Sequence, residues 1–362
     1  MRFETIRYLD WARRRFDMKP PAYNLAASGM QAASIAEAGI DLGALRIQGS
    51  NAFGHPELCR KLSALYDVPA THVLPAAGTS FANFLLLAAL IRPGDVALCE
   101  WPAYEPLWRV LETLGAQVKY VQRRAENQFV PDLSAIAEGF AQGARVLVLS
   151  DLHNPSATLL SRDVVREIGQ IARRYDAWVL IDEVYLSSVF DQDLKSGAQL
   201  GERIVITASL TKSYGLGGLR AGWAIAPAEV VARAHDVNAY LVANAPFIAD
   251  EVAAQALDHL PQLRERAARR RAETWPIVRA FAVERGMLPH EPAGAFIVWL
   301  KLPAGLDCDR LVDHLSDKYD TLVVPGSFFG ARDHIRLGYA LGPVVVTEGL
   351  RRLGMALDEL AT

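Results

Sequence analysis

The stretch SRDVVREIGQIARRYDAWVLIDEVY, Ser161 to Tyr185, changes character in its middle. Its first part, to Ala177, has the apolar spacing of an amphipathic helix. Its second part, WVLIDE, is a short unbroken run of apolar residues that ends in acids. Similar bounded runs recur on both sides: DVALCEWP (Asp95–Pro102), RVLVLSD (Arg145–Asp151), RIVITASL (Arg203–Leu210) and AGWAIAP (Ala221–Pro227). Continuous apolar strands separated by helices predict an α/β fold with a mostly parallel sheet covered on both faces. In such sheets ligands gather at the carboxyl ends of the strands.

Beyond about residue 245 the pattern shifts. A long charged helical stretch, LPQLRERAARRRAETWPIVRAFAVERG, leads into the strand-like pieces AFIVWLKLP, TLVVPG and IRLGYA. This predicts a second, smaller α+β domain, with ERAARRR as a solvated helix face. The expected division is an N-terminal segment 1–44 that contributes to the small domain and covers the site, a large domain 45–245 and a small domain 246–362.

Composition narrows the function. The 362 residues are 51% hydrophobic, enough for a large core, and the net charge of -3 argues against a nucleic-acid or anionic-membrane surface. The longest apolar stretch, Phe81–Ile91, is well short of the roughly 20 residues that cross a bilayer. The amino terminus is charged throughout and lacks the apolar core of a signal peptide. Three scattered cysteines (Cys59, Cys99 and Cys308) fit a reducing compartment, so a cytoplasmic location is expected. The histidines show no metal-ligand spacing, and no metal site is expected.

The informative polar residues sit where strands end. WVLIDEVY ends in Asp182 and Tyr185, RVLVLSDLHNPSA leads to Asn154, and RIVITASLTK leads to Ser209 and Lys212. THVLPAAGTSFANFLLL reads as strand, small-residue turn and helix, with Gly78, Thr79 and Ser80 at the helix start. Free N–H groups and the dipole end make that start a phosphate seat or an ordinary N-cap. SLTKSYGLGGLRAGW, Ser209–Trp223, adds Arg220 eight residues after Lys212. A carboxylate, a lysine, an arginine and a phosphate seat are together the parts that a phosphorylated aldehyde requires.

With S-x-x-K-x5-G-x-R-x-G here and IDEVY upstream, the chain resembles the class I/II aminotransferases of fold type I, from about residue 20 to its end. The resemblance implies a seven-stranded sheet, pyridoxal 5′-phosphate (PLP) as cofactor and a homodimer with the active site at its interface. It implies an enzyme of amino-acid metabolism that moves an amino group from an L-amino acid to a 2-oxo acid. Lys212 would form the Schiff base with PLP (the internal aldimine) and carry the Cα proton; the resulting quinonoid would be stabilised by Asp182 at the pyridine nitrogen. Asn154 and Tyr185 would meet the ring's 3′-oxygen, and Tyr104 of WPAYEPLW would stack on the ring. Gly78, Thr79, Ser80, Ser209 and Arg220 would hold the phosphate. Arg336 of IRLGYA would bind the substrate carboxylate, with Gly29 of NLAASGM folding over it.

Two departures from the family pattern stand out. DLHNPSA replaces N-P-x-N-P-T-G, keeping Asn154 but with Asp151, Leu152 and Ala157 at the first Asn, first Pro and Gly positions. Gly49 stands where the family has a tyrosine that reaches the neighbouring subunit, leaving Asn51 or Phe53 to line the partner's pocket. Phe53, Trp101, Trp108, Tyr240 and Phe329 are expected near the pocket, where they would suit an apolar or aromatic substrate. The same first-contact residues also serve PLP-dependent lyases and cyclases, which is the alternative activity. A non-catalytic PLP-fold regulator is the remote one, because the chain shows neither a basic patch nor spare length for a DNA-binding domain.

Overall fold

The structure is a computed structural model that describes residues 3–192 and 194–360. The opening stretch folds as its period requires. Arg162–Arg174 is a helix whose N-terminus is capped by Ser161, and Val165, Ile168, Ile171 and Ala172 form its buried stripe. Trp178–Asp182 is a strand buried along nearly its whole length.

That strand is central in a seven-stranded sheet. In chain order its strands are β1 (Val73–Ala76), β2 (Val96–Trp101), β3 (Gln117–Gln122), β4 (Ala144–Ser150), β5 (Trp178–Asp182), β6 (Ile204–Ser209) and β7 (Gly222–Ile225). The spatial order is β1-β7-β6-β5-β4-β2-β3. All neighbours are parallel except β7, which runs antiparallel to both β1 and β6. One apolar cluster covers each face of the sheet, which is why its strands are apolar on both sides. The edge strand β3 carries no unbroken apolar run: of its six residues only Val121 is buried.

A second sheet has three antiparallel strands, β8 (Ile297–Lys301), β9 (Val324–Pro325) and β10 (His334–Gly338), in the order β9-β10-β8. The N-terminal segment joins this part of the molecule, because Tyr23–Asn24 pairs in parallel with Thr321–Leu322. The core beside the small sheet takes Tyr8 and Leu25 from the amino terminus and Leu350 and Leu353 from the last helix. Ala253, Ala254, Ala256 and Leu263 instead pack with the large sheet. A small cluster of Leu152, Tyr185, Val189, Ala295 and Ile297 bridges the two sheets.

The helix Leu260–Glu284 differs from the expected solvated face. Arg264 donates to the carbonyls of Val189 and Gln192, Arg266 to those of Gln31 and Ala32, and Arg271 to that of Pro292. Long stems carry the guanidinium forks to chain segments that end without N–H partners. Among the described residues no helix is long and apolar enough to cross a membrane.

Candidate active site

Parallel register brings three polar residues side by side: Ser150 pairs with Asp182 and Asp182 with Thr207, at the carboxyl ends of β4, β5 and β6. Above this row lies a cavity of about 350 Å³. Thr79, Ser80, Tyr104, Asn154, Asp182, Tyr185, Ser209, Lys212, Arg220 and Arg336 all line it, so residues up to 257 positions apart in sequence converge there. Gly78 and Gly29, the remaining expected residues, abut the cavity through Arg220 and Lys212.

Asp182 is buried. Its Oδ2 accepts from Asn83 Nδ2 at 2.9 Å and its Oδ1 from the Val184 N–H at 3.1 Å. Burial pushes its pKa up to about 6, and those two hydrogen bonds act against the rise. The Lys212 ammonium donates to Ser28 Oγ at 2.9 Å, and burial holds its pKa below the usual value. The Ser28 hydroxyl also bonds the Tyr185 hydroxyl. The backbone packs tightly here: Met30 N–H donates to the Lys212 carbonyl at 2.7 Å, and a Cβ on Gly29 would stand 3.2 Å from the lysine's Cα and Cδ.

Arg336 is buried at the far end of the cavity. Nη1 donates to Asn154 Oδ1 at 3.0 Å and Nη2 to the Tyr8 hydroxyl at 2.9 Å, while Nε has no partner. The guanidinium also lies 5.4 Å from the Tyr8 ring centre and 5.1 Å from that of Phe329. At the opposite end Gly78 has φ 85°, and a Cβ there would come within 2.4 Å of Arg220 Nη2. Only a glycine lets the guanidinium lie on that turn. The buried Thr79 Oγ1 has no partner.

The altered loop after β4 is held by its own bonds. His153 donates from Nε2 to the Pro102 carbonyl (2.9 Å) and accepts the Ser156 hydroxyl at Nδ1 (2.7 Å); burial keeps it neutral. Asp151 pairs with Arg162 and accepts from Leu160 N–H at 3.1 Å. Asn154 keeps its place in the cavity because its N–H is fastened to Ser150 Oγ at 3.0 Å.

The structure also explains Gly49. A Cβ there would meet the Phe247 ring at 2.5 Å, so a tyrosine could not stand at this position unless Phe247 moved. Asn51 is committed within its own chain, donating to the Ala245 carbonyl at 2.8 Å, while Phe53 is 80% exposed. The other expected pocket aromatics lie elsewhere. Trp101 packs on Trp108 and Tyr120, Tyr240 is 92% exposed, and Phe329 sits behind Arg336. The rings that line the cavity are Tyr8, Tyr104 and Tyr185. Tyr8, Ser28 and Asn83 were not singled out from sequence. Asn83 alone left a trace there, as the single amide within the apolar stretch Phe81–Ile91.

Residues 22–353 match the family model for aminotransferase class I and II. The chain belongs to this family. It is 31% identical over 302 residues to the arginine–pyruvate transaminase AruH of Pseudomonas aeruginosa, covering 81% of this chain and 76% of that one. It is 28% identical to capreomycidine synthase of Streptomyces vinaceus, with coverage of 81% and 76%. A crystal structure of a PLP-dependent aminotransferase from Streptococcus suis superposes with a TM-score of 0.92 at 25% identity, covering 99% of each chain. The protein is therefore a PLP-dependent aminotransferase of fold type I. The aminotransferase has features that fit the cofactor: the unpartnered Thr79 hydroxyl, the Gly78 turn open beside Arg220, and a buried lysine and carboxylate in one cavity.

Proposed function

We propose that this aminotransferase takes the amino group of an L-amino acid and passes it to a 2-oxo acid, with Lys212 as the working amine. The observation that supports this most directly is that Lys212 Nζ lies in the same cavity as Asp182 and Arg336, with its pKa lowered by burial. A lowered pKa increases the share of neutral amine, the only form that can add to an aldehyde or accept a proton. When bound, PLP supplies that aldehyde and a conjugated ring that takes up the charge left when the substrate Cα loses its proton.

The chain's own residues then divide the work. Lys212 Nζ, as a neutral amine, would take the proton from the substrate Cα, hold it as an ammonium and give it up again to the bound cofactor. Asp182 would face the ring nitrogen, where a carboxylate favours the protonated ring. Tyr104 would stack on the ring, and Asn154 and Tyr185 would hydrogen-bond its 3′-oxygen. The Gly78–Ser80 turn, Thr79 Oγ1, Ser209 and Arg220 would hold the phosphate. Arg336, already oriented by Asn154 and Tyr8, presents its remaining donors to the substrate carboxylate, and Gly29 keeps the segment above Lys212 close.

The test is to add an amino donor alone to purified holoenzyme and follow the absorption spectrum. One equivalent of 2-oxo acid should form and the cofactor should convert to its amino form. Borohydride should fix the cofactor on Lys212, and Lys212→Ala should lose turnover. The second reading is a PLP-dependent lyase or cyclase, since one of the similar proteins is named a synthase and not a transaminase. Multiple turnovers without any 2-oxo acid, giving ammonia or a cyclised product, would favour it.

We further propose a cytoplasmic homodimer with Phe53 reaching the partner's pocket. The exposed Ile47, Phe53, Tyr240, Leu241 and Val242 support such a covered face. The placement of the seven-stranded sheet within 73–225 and the small sheet beyond 296 supports the division 1–44, 45–245 and 246–362.

A further inference from the structure

Asn83 is a buried amide in the helix Thr79–Leu90, whose other buried residues include Ala82, Leu85, Leu86 and Leu87. Both ends of the amide are used by the sheet below. Nδ2 donates to Asp182 Oδ2 at 2.9 Å, and Oδ1 accepts from Thr207 Oγ1 at 2.6 Å. Asp182 and Thr207 are register partners on β5 and β6, so one amide spans both. The polarity of this chain is forced. A carboxylate can only accept, so the NH2 faces Asp182, and the Oδ1 left on the other side accepts the proton of the Thr207 hydroxyl. The flipped amide would set oxygen against oxygen.

We infer that Asn83 and Thr207 are positioning residues for transamination, which hold the Asp182 carboxylate ionised and aimed into the cofactor cavity. This rests on the proposed role of Asp182 and adds what keeps that buried group charged. Burial drives Asp182 toward its neutral form; the Asn83 bond is the largest influence against it and the Val184 N–H the next. The titratable and charged groups facing Asp182 are Lys212 from the loop after β6, Tyr185 from the end of β5 and Tyr104 before the next helix. Arg220 and Arg336 stand further along the cavity wall. The Asn83 and Val184 donors, both neutral, outweigh the Lys212 charge in holding the carboxylate ionised.

The experiment compares holoenzyme with Asp182→Ala, Asn83→Leu, Thr207→Val and the Asn83→Leu/Thr207→Val double variant. Two properties are read across pH: the dissociation of PLP, and kcat/KM for an amino donor. Thermal unfolding of each variant reports folding. In Asn83→Leu the acid-side midpoint of both profiles should move up by about one pH unit, as expected for losing one hydrogen bond to a charged group; from a midpoint near 6 this lowers kcat/KM about 2-fold at pH 7 and ~10-fold below pH 6. Thr207→Val should shift both in the same direction by less, through loss of the amide's orientation. Adding Thr207→Val to Asn83→Leu should change nothing further, because its effect runs through the amide. A purely structural role would lower the unfolding temperature and leave the midpoints in place; that result, or independent additive shifts, overturns the inference. If Asn83→Leu does not fold, the Thr207→Val midpoint decides alone. A near-normal rate for Asp182→Ala would instead remove the reading of Asp182 itself.

Discussion

Arg336 donates through Nη2 to the Tyr8 hydroxyl at 2.9 Å, and that bond joins residues 328 positions apart. It ties the first helix, Arg7–Arg13, to β10 of the small sheet at the wall of the cavity. The helix is fastened from a third side by Glu105, whose buried carboxylate accepts the backbone N–H groups of Arg7 and Tyr8 at 3.1 and 2.7 Å. An acid at the free N–H groups of a helix start is favourable in both charge and geometry.

Tyr8→Phe removes the hydroxyl and leaves the ring. The Arg336 fork then loses one of the two side chains that orient it. We expect KM for the amino donor to rise about 10-fold with little change in kcat, the pattern of weakened uniform binding. Steady-state kinetics with a single donor decide it. A fall in kcat at constant KM would assign Tyr8 to the chemical step.

Ser28 is the acceptor for the Lys212 amine and a partner of the Tyr185 hydroxyl. Ser28→Ala should slow the donor half-reaction about 5-fold, the worth of one hydrogen bond, and enlarge the isotope effect with an α-deuterated donor. Single-turnover spectroscopy reads both. An unchanged rate and isotope effect would show that the amine needs no such anchor.

PLP retention should depend on pH through Asp182. Its pKa stands above the ordinary Asp value, at about 6, because of burial. Above that pH the carboxylate is ionised and attracts the protonated ring; as pH falls through 6 it becomes neutral and the attraction is lost. Dissociation should therefore increase on acidification by up to about 10-fold per pH unit. Equilibrium dialysis across this range measures it, and Asp182→Asn, whose side chain cannot titrate, should flatten the profile.

Gly49→Tyr restores the family's residue in a place where Phe247 leaves no room. Overpacking should cost about 1–3 kcal/mol, seen as a lower Tm. The second change Phe247→Ala should recover part of it. If Gly49→Tyr alone is as stable as the parent, the steric reason for glycine at this position is wrong.

Much of the fold was legible because burial on both faces leaves a direct mark on composition: the runs around Leu98, Val148, Ile181 and Ile206 are apolar since both of their sides are covered. The edge strand β3 left no such mark. Its residues Gln117, Lys119 and Gln122 face away from the core, so nothing selects an apolar run there. The cavity residues that follow a motif, Asp182, Asn154, Lys212 and Arg220, could be named from spacing and resemblance alone. Tyr8, Ser28 and Thr207 could not, because each is an ordinary residue in its own segment and acquires meaning only from a partner far along the chain; Asn83 stands out only as an amide in an apolar stretch, with nothing nearby to name its partner. The aromatic residues misled for the same reason. Trp101 is near Tyr104 in sequence, yet its ring packs on Trp108 and Tyr120 outside the cavity lining.

By itself the sequence determined the alternation of strand and helix, because period is a local property of a chain, and its motifs carried the family resemblance that implies the cofactor class. Only the tertiary structure decided which hydrogen bonds orient those groups. The partners of Asp182 are Asn83 and Val184, and those of Arg336 are Asn154 and Tyr8. Of these four only Val184 is close in sequence to the residue it serves. The others meet through packing, Asn83 from the helix Thr79–Leu90, Asn154 from the loop after β4 and Tyr8 through the return of the amino terminus to the small sheet, and long-range packing of that kind leaves no periodic signal in either segment.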